Sequence, residues 1–139
     1  MAVRFHYQAW MVVEIAGILL ERILSEAAVA PDREICGLLF GDGLAIRRAD
    51  PAPNVAAQPA DTFEIDPRTL FAALRAERAG GDKLIGHYHS HPNGSAEPSP
   101  RDLAAAEPGK LWLILGGGVA RAWIMENGGF RELQLVVRD

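Results

Sequence analysis

The stretch that most constrains this chain is Lys83 to Asp102, where a strand-forming run ends in alternating histidines and runs into a turn and a helix start. Lys83-Leu84-Ile85-Gly86 begins a strand, and His87, His89 and His91 follow at every second position. Side chains at i and i+2 of a strand share a face, so His89 and His91 project together while Ser90 points away. Their Cα atoms lie roughly 6.6 Å apart at about 3.3 Å of rise per residue. Two imidazoles can meet on one ion across that gap with Zn–N bonds of about 2.0–2.1 Å. His87 and His91 are about 13 Å apart in an unbroken strand, so one ion cannot take both. His87 is therefore read as supporting the site from behind, or as a buried polar residue.

Pro92-Asn93-Gly94 is turn chemistry and stops the strand. Ser99-Pro100 reads as an N-cap with Pro at the first helical position, which puts Asp102 in the first turn of a short helix reaching about Glu107. Two histidines and one carboxylate leave a tetrahedral zinc with one open position, as in hydrolytic sites that hold water. Ser99-x-x-Asp102 also fits a capping box, and taken alone it needs no further explanation. Joined to the histidine pair at this spacing, the segment favours a metal.

The remaining chain reads as alternating short strands and helices. Met11 to Ile15 is a strand, and Gly17 to Ala28 an amphipathic helix with Ile18, Leu19, Ile23, Leu24 and Ala27 at helical spacing. Glu34 to Gly41 enters a buried strand, with Asp42-Gly43 turning into a return strand from Leu44 to Arg47. The Pro- and Ala-rich piece from Asp50 to Ala60 is expected to be a loop, and Thr62 to Ile65 a short strand. Asp66-Pro67 starts a second helix, stopped by Gly80-Gly81. Leu111 to Leu115 is a strand buried on both faces, followed by hairpins at Gly116–Gly118 and Asn127–Gly129. No Lys-Ser/Thr follows the three glycines, so a phosphate loop is not read there. The result is a single α/β domain over 1–139, a mixed sheet sandwiched by helices, with 1–11 an edge strand or loose extension.

At 139 residues there is chain enough for a real core. A net charge of −4 gives no general reason to expect nucleic acid or an anionic membrane. No apolar run is long enough to span a bilayer, and the start lacks the order of a signal peptide. The single Cys36 excludes an internal disulfide and fits a reducing compartment, so the cytoplasm is expected.

A water activated at the metal needs a nearby proton acceptor, and Glu34, opening an apolar strand, is the best candidate. The blander reading is a surface carboxylate at a strand start. Ser99 offers a hydroxyl for a tetrahedral oxyanion. Glu34-Ile-Cys-Gly-Leu-Leu-Phe-Gly41, Gly86-His-Tyr-His-Ser-His-Pro92 and Pro98-Ser-Pro-Arg-Asp102 together resemble the signature of the JAMM (JAB/MPN-type) metalloproteases. That signature is a Glu, then His-Ser-His-Pro, then Ser-x-x-Asp, with ten residues between the second His and the Asp, here Pro92 to Arg101.

The resemblance spans roughly residues 12–137 and implies a cytidine-deaminase-like α/β fold. It implies one zinc per chain held by His89, His91, Asp102 and water, Glu34 as general acid/base, and Ser99 binding the oxyanion. It further implies a peptidase or isopeptidase, with zinc-bound water as nucleophile, cutting after the C-terminal Gly of a ubiquitin-like protein. Small stand-alone prokaryotic members act on sulfur-carrier-type proteins or their conjugates. The partner expected is thus a flexible carrier tail, docking near the Asp50–Ala60 loop; the oligomeric state is left open. Two other classes compete. A zinc nucleobase deaminase needs Pro-Cys-x-x-Cys, and one cysteine cannot supply it. A non-catalytic MPN-type interaction module with a structural metal would want four protein ligands, against the three found here.

Overall fold

The computed structural model describes residues 11–139; the expectation of an edge strand or loose extension over 1–11 lies, but for Met11, outside them. Seven strands run as β1 (Val12–Ala16), β2 (Cys36–Asp42), β3 (Ala45–Ala52), β4 (Lys83–Ser90), β5 (Leu111–Gly116), β6 (Val119–Glu126) and β7 (Gly129–Arg138). Three helices are described, α1 (Gly17–Ala28), α2 (Pro67–Arg78) and α3 (Pro100–Ala105). The sheet is mixed and closes on itself in the order β1-β3-β2-β4-β5-β6-β7. The β4–β5, β1–β3 and β1–β7 pairs are parallel, and the hairpin-connected pairs are antiparallel.

Alternation along the strands sorts the core into two clusters. Leu39 of β2, Tyr88 of β4 and Leu111, Leu113 and Leu115 of β5 face one side, where α1 sinks Ile23 among them. Leu38 and Phe40, one residue off in β2, face the other and take Ala73 and Leu70 from α2. The helices therefore cover opposite faces, as an α/β layer demands. Burying these apolar side chains stabilises the fold by roughly 1.5–3 kcal/mol for each large one. Tyr88 lies wholly inside, and its hydroxyl donates to Glu26 Oε1 of α1 at 2.8 Å. The facing position must be Gly37, because a Cβ there would stand 2.3 Å from the Tyr88 ring. Gly86 meets the same constraint, its missing Cβ falling 2.1 Å from the Leu111 carbonyl oxygen. That is the close backbone approach its place in a strand suggests.

Four boundaries differ from the sequence reading. β3 continues through Asp50, Pro51 and Ala52, which were expected to open a loop. Among the described residues only Ala45 and Ile46 of β3 pair with β1, so the β1 ladder does not reach Pro51, where a proline donates nothing. Thr62 to Ile65 forms no strand; only an isolated Asn54–Ile65 bridge remains, because Asn54's side chain takes the bonds a ladder would use. β2 begins at Cys36, with Glu34 and Ile35 ahead of it. Helix α3 ends at Ala105 and not near Glu107, its cap Ala106 being already extended two residues before Pro108. Among the described residues no helix is long and apolar enough to cross a membrane.

Candidate metal centre

Strand β4 and helix α3 together bring three donor atoms to one point. His89 ends the polar face of β4, in register with Cys36 of β2 and Ile114 of β5. His91 lies just past the strand, its N–H donated to the Leu115 carbonyl at 2.8 Å, so the chain stays on the sheet for one more residue. Its Nδ1 faces the Ser95 carbonyl at 2.8 Å and donates to it, which turns Nε2 inward. The two Nε2 atoms are 3.0 Å apart, and Asp102 Oδ2 is 3.0 Å from His91 Nε2 and 3.3 Å from His89 Nε2. His89 is fully buried, and His91 and Asp102 nearly so.

These separations test the fit of a metal. A tetrahedral ion with bonds of about 2.0–2.1 Å needs its ligand atoms about 3.3 Å from one another. Two imidazole nitrogens and one carboxylate oxygen meet that condition, and the donor set suits zinc. Three such polar atoms are buried in mutual contact, where burying them without partners would be costly. Asp102 also caps α3: Ser99 Oγ accepts its N–H at 3.1 Å, and its Oδ2 accepts the Ser99 N–H at 2.9 Å. The capping box and the inward-facing carboxylate, alternatives in the sequence, are thus one arrangement. The cap points the oxygen.

Glu34 stands off from this group. Its carboxylate lies within 4.8 Å of the His89 and His91 nitrogens, and Oε1 is buried with no hydrogen-bond partner among the described residues. The segment carrying it has irregular backbone, so single hydrogen bonds from side chains and loops hold it. Glu34 N–H donates to the Pro59 carbonyl at 2.7 Å, and its own carbonyl accepts from Asn54 Nδ2 at 2.8 Å. Ser90, between the two histidines, grips the next residue twice: its Oγ accepts the Ile35 N–H at 2.9 Å and its N–H donates to the Ile35 carbonyl at 3.0 Å. Ser90 points away from the centre, as strand parity requires, and ties the histidine strand to the Glu34 segment.

Charge follows geometry. Burial pushes the Glu34 carboxyl up to about 7, with Asp102 adding to the rise and His91 opposing it. Burial alone would raise Asp102 too, but hydrogen bonds with His89 and His91 outweigh it and hold the carboxyl well below the usual range. Burial keeps His89 neutral. For His91 burial is outweighed by Asp102 and the Ser95 carbonyl, so its proton is held more tightly than usual. Cys36 opposite His89 is pushed up to about 12 by burial, so it stays a thiol and offers no thiolate ligand.

Behind the three donor atoms lies an aromatic wall that sequence reading did not identify. Phe63 stacks on His89 at 4.2 Å between centroids, and Trp112 meets both His87 (4.4 Å) and His89 (5.5 Å) edge-on. His87 belongs to this wall and not to the ligand group, and burial pulls its pKa down to about 3. In front, a cleft of about 340 Å³ is lined by Glu34, Ala60, Asp61, His91, Pro98 and Ser99 among others.

This fold and donor group define a JAB/MPN domain. The chain belongs to the family described as prokaryotic homologs of the JAB domain, which matches residues 7–127. It is 38% identical over 125 residues to a desampylase of Haloferax volcanii, covering 86% of this chain and 88% of that protein. It is 39% identical over 92 residues to a "Probable TtuB-protein conjugate cleaving protease" of Thermus thermophilus, covering 66% of this chain and 61% of that one. Among solved structures, a protein from Desulfitobacterium hafniense aligns with TM-score 0.79 and 29% identity over 93% of this chain and 94% of its own. A JAB1/MPN domain protein from Archaeoglobus fulgidus aligns with TM-score 0.59 and 25% identity, covering 90% of this chain and 98% of its own.

Proposed function

We propose that the chain is a zinc-dependent peptidase/isopeptidase that hydrolyses the bond after the C-terminal Gly of a ubiquitin-like, sulfur-carrier-type protein. The observation that carries this reading is three donor atoms 3.0–3.3 Å apart beside a buried, unpartnered carboxyl. Its relatives named desampylase and conjugate cleaving protease agree with it in chemistry. His89, His91 and Asp102 would hold the ion. Zinc supplies Lewis-acid polarisation there and makes water a nucleophile near neutral pH.

The chain's own groups then divide the work. Glu34, with its carboxyl raised to about 7, takes a proton from the attacking water and hands it to the leaving amine nitrogen. A C–O bond forms and the C–N bond breaks, so the products are a free carboxylate tail and a free amine. Ser99 Oγ accepts the Asp102 N–H, which leaves its own proton free to be donated to the carbonyl oxygen of the scissile bond. The partner's tail enters along the cleft, whose rim is made by Ala60 and Asp61 at the end of the expected docking loop. The single, buried Cys36 is compatible with work in the reducing cytoplasm.

The test uses the source organism's own ubiquitin-like proteins with C-terminal extensions or isopeptide-linked lysines, with products weighed by mass spectrometry. A mass corresponding to a tail ending in Gly is expected. Cleavage elsewhere, or none with the zinc-loaded protein, would end the reading.

A further inference from the structure

We propose that Asn54 is a positioning residue that fixes the distance between the Glu34 carboxylate and the His89–His91 pair. This rests on the hydrolase reading above. The carboxamide has two N–H donors and an oxygen with two lone pairs, and all four are used. Nδ2 donates to the Glu34 carbonyl at 2.8 Å and to the Thr62 carbonyl at 3.1 Å. Oδ1 accepts the Ala56 and Glu64 N–H groups, each at 3.0 Å. One side chain therefore joins three pieces of chain that share no regular ladder.

What those pieces carry gives the bond set its meaning. Thr62 and Glu64 flank Phe63, whose ring stacks on His89. Their grip on Asn54 is backed by Val55 N–H to Glu64 carbonyl at 2.9 Å and Asp66 N–H to Pro53 carbonyl at 3.1 Å. The Glu34 end is bound to the His89–His91 link through Ile35 and Ser90. A closed circuit results: His89, Phe63, Asn54, Glu34, Ile35, Ser90 and back to His89. Asn54 is the member through which the base is tied to the wall behind the imidazole. Glu34 itself makes no side-chain bond through Oε1, so its backbone anchors must set where the carboxylate lies. A displacement of about 1 Å in such a group costs about 10²-fold in rate.

The experiment compares full-length, zinc-loaded wild type, Asn54→Ala and Asn54→Asp, each also in a Glu34→Gln background, with zinc content measured first. Asn54→Ala is expected to lower kcat by about 10²-fold with KM within about twofold. In Glu34→Gln the same change should add less than about twofold, because the group it positions is already gone. Asn54→Asp keeps the two acceptor bonds and loses both donors. Amide exchange at Ala56 and Glu64 should then stay slow in Asn54→Asp and become fast in Asn54→Ala, while both share the loss in kcat.

Equal losses in both Glu34 backgrounds, wild-type kcat in Asn54→Asp, or loss of zinc from Asn54→Ala would overturn the assignment. If wild type cleaves nothing, the hydrolase reading fails and exchange alone decides the clamp. Ile35 opening together with Ala56 and Glu64 in Asn54→Ala would then support it, and an Ile35 amide as protected as in wild type would overturn it.

Discussion

The two halves of the site are built by different means. His89, His91 and Asp102 are placed by regular structure, namely a strand bonded on both edges and a helix cap whose own hydrogen bonds aim the carboxylate. Glu34 sits on irregular backbone ahead of β2, held by Pro59, Asn54 and Ser90. The donor atoms that would hold an ion on the proposed reading are fixed by ladders and a cap. A group that must pick up and release a proton has a raised pKa and an unshared oxygen. On the proposed reading, the comparison makes metal retention and proton transfer separable.

The sharpest break of that comparison is His89→Ala against Glu34→Gln. His89→Ala removes one of three touching donors and should lose both bound zinc and cleavage. Glu34→Gln touches none of them and should keep zinc at one per chain while losing about 10²–10⁴-fold in kcat. Elemental analysis and single-turnover cleavage read the two effects separately. If Glu34→Gln also released zinc, the carboxylate would be a ligand and the division would be wrong.

Ser99→Ala falls between the halves, since its hydroxyl caps α3 and faces the cleft. Loss of a transition-state donor is worth about 10²–10³-fold in kcat. Loss of the cap costs about 1 kcal/mol, visible as a lower unfolding midpoint. A variant with the stability loss but normal kcat would leave Ser99 as a cap only.

The same division decided what could be read from sequence. His89, His91, Ser99 and Asp102 lie within one local run whose parity and turn residues dictate their meeting, and strand alternation sorted β2, β4 and β5 onto their faces. Glu34 is distant in sequence, so no local spacing led to it; its place at the start of an apolar strand made it a candidate base, and the resemblance gave it that role. Asn54 hid between Pro53 and Val55 in what looked like plain loop, because a carboxamide with four backbone partners leaves no periodic trace. Phe63 read as strand alternation, although its neighbours bond to a side chain. Pro51 looked like a loop signal because sequence cannot show that the β1 ladder stops at Ile46, short of the proline.

Acid stability sharpens the comparison at His87, where no effect on activity is expected. His87 forms the wall with Trp112 and Phe63, and burial lowers its pKa to about 3 from an ordinary 6.5. Below 6.5 the unfolded chain takes up a proton that the folded chain refuses until about 3. The stability His87 allows is therefore complete above 6.5 and is lost as pH falls toward 3. Glu34 tilts the other way, since its folded pKa of about 7 exceeds the ordinary 4.5. Its contribution is complete below 4.5 and is lost as pH rises through 7. In urea unfolding of the metal-free protein, His87→Leu should flatten the decline between pH 6 and 4, and Glu34→Gln should flatten the decline between pH 5 and 7. Zinc-loaded His87→Leu should keep kcat within about twofold, as expected of a residue that backs a ligand without touching the reacting atoms. A pH profile unchanged by His87→Leu would mean that its imidazole is protonated in the folded chain, and the wall would then carry a charge that its aromatic neighbours do not offset.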